Sequence, residues 1–208
     1  MYEHDGGHDR STPLHEERLD AVATVLISSG ASSVIDLGCG PGALLQRLLV
    51  ERRFSHLLGV DTSAAALMVA ERRLDAISPA EERRWSLEHA SFMEPARQWR
   101  RFEAAAMVET VEHVPPGDLS RLERSVFALT RPELVVITTP NRDYNVHFGL
   151  RDDEFRHPDH RFEWSRAKFH RWARGVAERN GYTVRLQDVG RADALLGAPS
   201  QMAVFTLQ

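Results

Sequence analysis

Val34-Ile35-Asp36-Leu37-Gly38-Cys39-Gly40-Pro41-Gly42 is the stretch whose reading decides the fold. Its first four residues are mostly aliphatic and read as a short buried strand. Three glycines at alternate positions follow, and a helical pattern runs from Ala43 to about Arg52. Glycine lets backbone approach a ligand where a side chain would clash. The helix start beyond the loop offers unpaired N–H groups. Such a loop is a weak signal alone and also suits a purely structural turn. It gains support from the next strand, Leu57 to Val60, which ends in Asp61. An acid at the end of the second strand is placed to accept both hydroxyls of a ribose. Asp36, Gly38, Gly40, Gly42 and Asp61 are therefore candidate contacts to a nucleoside cofactor.

The flanking sequence extends this strand–loop–helix unit into a sheet. Residues 1–14 are a loose polar lead-in and 15–208 a single domain. Leu19, Val22, Ala23 and Leu26 form the stripe of a first helix that starts at Pro13 and stops at Gly30. Ser63 caps a helix with Leu67, Ala70, Leu74 and Ile77 inward and Pro79 as its stop. Trp85 to His89 is a third strand, followed by Ser91-Phe92, where an adenine ring would be held; a core role for Phe92 is the alternative. Ala104 to Val108 is a fourth strand, and Pro116 to Thr130 a helix with Leu119, Leu122, Val126 and Leu129 inward. Leu134-Val135-Val136-Ile137 is nearly all aliphatic, as a buried parallel strand should be. Residues 142–163 lack any period, which signals a lid or binding loop. A helix from Ser165 to Asn180 follows, with Phe169, Trp172, Ala173 and Val176 inward. Tyr182 to Val189 and Met202 to Leu207 have no helix between them, so they pair antiparallel. The predicted class is α/β: a mostly parallel seven-stranded Rossmann-like sheet, helices on both faces, an antiparallel final strand.

Composition narrows the function. With 208 residues, 42% of them apolar, the chain can bury a sizeable core. No apolar run is long enough to span a bilayer, and no basic-apolar-small signal pattern opens the chain. A single cysteine, Cys39, excludes an internal disulfide framework and fits a reducing cytoplasm, the expected location. A net charge of −4 argues against a general nucleic-acid coat but not against a protein that grips the end of one strand. Basic charge is almost all arginine, Lys168 being the one lysine. Arginine suits phosphate recognition, although gene base composition accounts for the bias equally well.

The second informative stretch is Glu109-Thr110-Val111-Glu112-His113, directly after the fourth strand. In open α/β sheets that edge is where ligands bind. If the stretch begins a helical turn, Glu109, Glu112 and His113 share one face. His160, in a polar segment dense in ionisable groups, is the distant partner. Two carboxylates with two imidazoles and no thiolate suit Mn²⁺ or Mg²⁺. The pentapeptide by itself reads more readily as solvated surface. An inverted zinc-protease motif needs histidine where Glu109 stands.

Asp36-Leu37-Gly38-Cys39-Gly40-Pro41-Gly42, Asp61 and the final hairpin resemble the class I S-adenosylmethionine-dependent methyltransferases over about residues 15–208. Three further blocks resemble one family within that class, the small-RNA 2′-O-methyltransferases of the HUA-enhancer type. They are Glu109 to His113, Thr139-Pro140-Asn141 with Tyr144-Asn145, and Asp159-His160-Arg161-Phe162-Glu163-Trp164-Ser165-Arg166. Even Pro13 to Arg18 is similar to that family's lead-in. The resemblance implies S-adenosylmethionine as cofactor, held at Asp36, Gly38, Gly40, Gly42, Asp61, Ser63, Ser91 and Phe92. It implies Glu109, Glu112, His113 and His160 as metal ligands, with Glu112 or His113 taking the proton, and Arg156 beside the RNA. The implied partner is an RNA 3′ end. Bacterial members usually add an N-terminal region that works with a polynucleotide kinase-phosphatase in RNA repair; these residues do not include it.

The implied reaction is methylation of the 2′-hydroxyl of a 3′-terminal ribose, in RNA repair or end protection. A divalent ion can hold the vicinal 2′ and 3′ oxygens and acidify the nucleophile, by about 8 units in the limiting case of zinc-bound water. Two other readings remain. One is a metal-independent methyltransferase acting on a small molecule; the other is a non-catalytic module that binds RNA ends on the same scaffold.

Overall fold

A computed structural model describes residues 12–78 and 82–208. The remainder of the lead-in, and Pro79 as a helix stop, lie outside the described residues. Thr12 accepts a hydrogen bond from His15 N (3.2 Å) and so caps helix α1, Pro13–Ser28. The last residues of the expected lead-in, Pro13 and Leu14, are thus helical.

Strand β1 (Ser33–Leu37) leads through the glycine loop into helix α2 (Ala43–Leu49). Strand β2 (His56–Asp61), helix α3 (Ala64–Asp75) and strand β3 (Trp85–His89) complete the first half. The second half holds β4 (Ala104–Val108), α4 (Leu119–Glu123) and β5 (Leu134–Pro140). It closes with α5 (Arg166–Asn180), β6 (Tyr182–Val189) and β7 (Ser200–Leu207). The sheet order is β3-β2-β1-β4-β5-β7-β6. β1 to β5 run parallel, and β7 lies antiparallel to both β5 and β6. The predicted seven-stranded class holds.

The period of two along the strands builds a core on each face. Val34, Ala104, Ala106 and Val136 pack with Leu19, Val22 and Leu26 of α1, Leu45 and Leu48 of α2, and Leu67 and Leu74 of α3. Ile35, Ala105, Met107, Val135 and Ile137 face the other way, against Leu122, Val126 and Phe127 and against Phe169, Ala173 and Val176 of α5. The helices therefore cover both faces.

Two expected core positions are exposed. α3 ends at Asp75, so Ile77 lies past the helix and is 43% exposed. The helix expected from Pro116 to Thr130 is three pieces: a 3₁₀ turn, α4, and a π-helical stretch Arg124–Thr130. Wider π turns shift the phase of the apolar stripe. Val126 and Phe127 stay inside and Leu129 turns out, 41% exposed.

Among the described residues no helix is long and apolar enough to cross a membrane. Phe127 meets Tyr182 and Phe205 edge-on, with ring centroids 5.3 and 4.8 Å away. Phe127→Ala is expected to remove about 3–5 kcal/mol of stability, measured by urea unfolding, because such a site cannot collapse around the void. A loss under about 1 kcal/mol would show a loosely packed face.

Candidate active site

Strand order reverses between β1 and β4, and a crevice opens beyond the carboxyl ends of strands at such a point. A cleft of about 480 Å³ lies there, lined by Gly38, Asp61, Thr62, Ser91 and Phe92 on one side and Glu109, Thr110 and His113 on the other.

The loop after β1 forms one wall. Gly38 has φ +83°, and a Cβ there would lie 2.6 Å from Thr110 Cγ2. Only glycine lets the loop sit this close to the turn after β4. Asp61 organises the wall with both oxygens: Oδ2 accepts from Gly40 N and Oδ1 from Ser63 N, each at 2.8 Å. The candidate cofactor residues therefore fall into two groups. Gly38, Asp61, Ser91 and Phe92 line the cleft. Asp36, Gly40, Gly42 and Ser63 stand behind it. Gly42 begins α2 and packs so near Ala70 that a Cβ would meet it at 3.0 Å. Ser63 caps α3 by accepting from Ala66 N. Asp36 is buried, and burial together with the charge of Asp61 pushes its carboxyl up to about 7.

The other wall begins with backbone strain. Glu109 has φ +50°, a left-handed conformation uncommon for a side-chain-bearing residue. Its N–H is held at Thr138 O (3.2 Å) and Thr138 Oγ1 (3.1 Å). The expected helical turn from Glu109 is instead a kink followed by a 3₁₀ turn, Val111–His113. That turn aims Glu112 inward, fully buried. Thr139 Oγ1 donates to Glu112 Oε2 at 3.0 Å, while Glu112 Oε1 is buried with no partner.

His160 reaches the same point from residues 150–164. Arg161 N donates to Glu112 O (2.8 Å), which ties that segment to the 3₁₀ turn. Ligating atoms of Glu112, His113 and His160 all lie within 4.8 Å of one another. The imidazoles of His113 and His160 meet edge-on at 4.9 Å. Glu109 lies outside that trio: its Oε2 faces Arg18 Nη1 at 3.3 Å, and its Oε1 is buried and unpartnered.

The electrostatics favour a cation. Burial raises both Glu109 and Glu112, and the charge of Glu109 raises Glu112 further. Burial, with the nearby His160, lowers His113 and keeps it neutral, the ligating form. His113 Nδ1 lies 3.3 Å from Asp159 O and His160 Nδ1 lies 2.6 Å from Glu163 Oε1. Each contact leaves the Nε2 of its ring as the free nitrogen. A buried carboxylate oxygen without a partner and two imidazoles oriented through Nδ1 form a donor set that fits a divalent ion.

Arg156 stands one layer back. It donates from Nε to Asn145 Oδ1 (2.6 Å), from Nη1 to Pro199 O (2.7 Å) and from Nη2 to Asn141 O. Sequence reading assigns no role to Arg18, Thr138, Thr139, Asn145 or Glu163. All five lie within or beside the blocks that carry the family resemblance, and only tertiary contact distinguishes them.

Fold and site together define a class I S-adenosylmethionine-dependent methyltransferase fold with an acidic, histidine-bearing corner. A family model for a methyltransferase domain matches residues 34–133. The crystal structure of the methyltransferase domain of a bacterial Hen1 (CtHen1-CN) is 40% identical, with TM-score 0.84 over 93% of this chain and 100% of that one. The chain belongs to the family of that Hen1 methyltransferase domain. A crystal structure of the small RNA methyltransferase HEN1 is 28% identical, with TM-score 0.89 over 98% of this chain and 27% of that one. The small RNA 2′-O-methyltransferase of Mus musculus is 32% identical over 203 residues, 93% of this chain and 51% of that protein. The chain thus spans about half the length of that curated relative.

Asp36 gives this site a signature in stability. A carboxyl raised to about 7 in the folded protein holds its proton there while the unfolded chain, at 3.8, has lost it. Its contribution to stability is complete below the unfolded value and is lost as pH rises through the folded one. Urea unfolding between pH 5 and 8 is expected to show Asp36→Asn gaining on the wild type by up to about 1.4 kcal/mol per unit. Parallel profiles would show that Asp36 is not held protonated.

Proposed function

We propose that this protein transfers the methyl group of S-adenosylmethionine to the 2′-hydroxyl of the 3′-terminal ribose of RNA, with a divalent ion, Mn²⁺ or Mg²⁺. The observation that carries this is the junction of two sites. The trio Glu112, His113 and His160 adjoins the cleft walled by Gly38, Asp61, Ser91 and Phe92. His113 and Glu109 belong to the cleft wall as well as to the acidic corner.

Asp61, the last residue of β2 at the rim of the cleft, accepts the ribose hydroxyls of the cofactor in this reading. Phe92 offers an aromatic face for the adenine. Glu112, His113 and His160 hold the ion, with Glu109 as fourth ligand once its carboxylate leaves Arg18. A divalent ion held by these residues would supply Lewis acidity that lowers the pKa of a ribose hydroxyl. The 2′ oxygen displaces the sulfonium sulfur at the methyl carbon in line, forming the C–O bond as the C–S bond breaks. S-adenosylhomocysteine leaves, and the hydroxyl proton passes to Glu112; His113, with Nδ1 turned to Asp159 O and Nε2 given to the ion, has no nitrogen left to accept it. Alignment of the two substrates across the cleft supplies much of the acceleration. Two vicinal hydroxyls in the site imply a requirement for a free 3′ end, and with it a role in protecting or repairing RNA ends.

Transfer of labelled methyl from S-adenosylmethionine to a short RNA tests the reading. Labelling is expected with Mn²⁺ or Mg²⁺, to vanish with chelator, and to fail on a 3′-phosphorylated copy. Glu112→Gln and His160→Ala should each lower the rate at least about 100-fold, the scale of losing one transition-state contact, while S-adenosylhomocysteine binds as before. Labelling that ignores both chelator and 3′ phosphate would favour a metal-independent enzyme acting elsewhere.

A further inference from the structure

His160 is the one member of the trio that no regular element carries, yet a metal ligand must be held to within about 0.5 Å. A single carboxylate holds it. Glu163 is 3% exposed although it lies in an irregular segment. Its Oε1 meets His160 Nδ1 at 2.6 Å and accepts from Arg156 N at 2.8 Å. Its Oε2 accepts from Asn145 Nδ2 at 2.6 Å. Asn145 in turn accepts from Arg156 Nε, and the Arg156 guanidinium is anchored on the carbonyls of Asn141 and Pro199. Asn141 follows β5 and Pro199 precedes β7, so the chain of bonds runs from the sheet to the His160 ring.

We propose that Glu163 is a positioning residue that sets the affinity of the site for its divalent ion. It keeps the proton of His160 on Nδ1 and leaves Nε2 for the metal. The inference rests on the metal-dependent reading above. Asn145 and Arg156 then serve to hold Glu163 with both of its oxygens engaged by donors. A glutamine at this position presents an NH₂ group where an acceptor is required. Its carbonyl can serve either His160 or Asn145, but not both. The ring is then free to rotate or to change tautomer. A carboxylate behind a ligating histidine raises its basicity and fixes its orientation, and losing one typically weakens metal binding 10–100-fold.

The test is Mn²⁺ titration followed by electron paramagnetic resonance, run on wild type, Glu163→Gln and His160→Ala, with S-adenosylhomocysteine affinity measured on the same samples. Glu163→Gln is expected to weaken Mn²⁺ binding by roughly 10-fold or more without changing S-adenosylhomocysteine affinity. Its methyl transfer should recover at high Mn²⁺, so that the apparent metal constant moves and kcat does not. In the wild type, ¹⁵N-histidine NMR without metal should place the His160 proton on Nδ1. Unchanged Mn²⁺ affinity in Glu163→Gln, or a wild-type proton on Nε2, would overturn this inference alone. A wild type that binds no Mn²⁺, or a His160→Ala variant that binds it equally well, would overturn the metal-dependent reading and this inference with it.

Discussion

The reversal of strand order between β1 and β4 is the constraint on which the rest depends. β2 and β3 extend the sheet on one side and β5, β7 and β6 on the other, so the connections after β1 and β4 leave in opposite directions. The gap between them cannot be closed by sheet hydrogen bonds. It becomes the crevice into which the glycine loop and the Glu109 turn both project. Gly38 and Thr110 touch across it, which fixes its width at the base. The strain at Glu109 follows from the same geometry. The chain must turn sharply at the end of β4 and still satisfy its N–H, and Thr138 at the end of β5 supplies both acceptors. Such strain costs on the order of 1–3 kcal/mol and persists only where surrounding structure over-determines it.

Electrostatics then separate the two ends of the crevice. The cofactor end holds one carboxylate at its rim, Asp61, with two backbone donors to satisfy it. The far end buries Glu109 and Glu112 together, and each has an oxygen with no partner. Burying uncompensated carboxylates is expensive, and the charge of Arg18, paired with Glu109, offsets part of the cost for both. Glu112 receives only the hydroxyl of Thr139. A cation at the trio, as proposed, would remove the penalty and make two nearby carboxylates compatible with one buried corner. His113 and His160, each engaged at Nδ1, complete that arrangement.

Much of this was legible in the sequence because the signals were local. The aliphatic run into three glycines marks β1 and its loop, and Asp61 after an aliphatic strand marks the rim. His113 and Glu112 follow a strand end directly, so their place at the crevice needs no tertiary information. His160 required a resemblance, since nothing within its own segment says which wall it meets. The residues that hold these groups were silent. Thr139 reads as the end of an aliphatic strand, and Glu163 as one charge among many. Thr139 has its role because the Glu112 turn packs on β5, and Glu163 because the 150–164 segment folds back onto the ends of β5 and β7. The left-handed turn at Glu109 runs against residue preference and is imposed from outside. The exposed Leu129 followed from a change of helical pitch, which an assumption of 3.6 residues per turn hides. Arg156, expected beside the RNA, has its donors directed at Asn145, Asn141 and Pro199.

The proposed chemistry turns on one divalent ion at Glu112, His113 and His160, beside the cofactor cleft. The most direct measurement is an anomalous-difference map, at the manganese edge, from crystals grown with Mn²⁺ and S-adenosylhomocysteine. One peak is expected within bonding distance of Glu112 Oε1, His113 Nε2 and His160 Nε2. A protein active in methyl transfer whose crystals show no peak there, or a peak bound by other residues, would contradict the proposal.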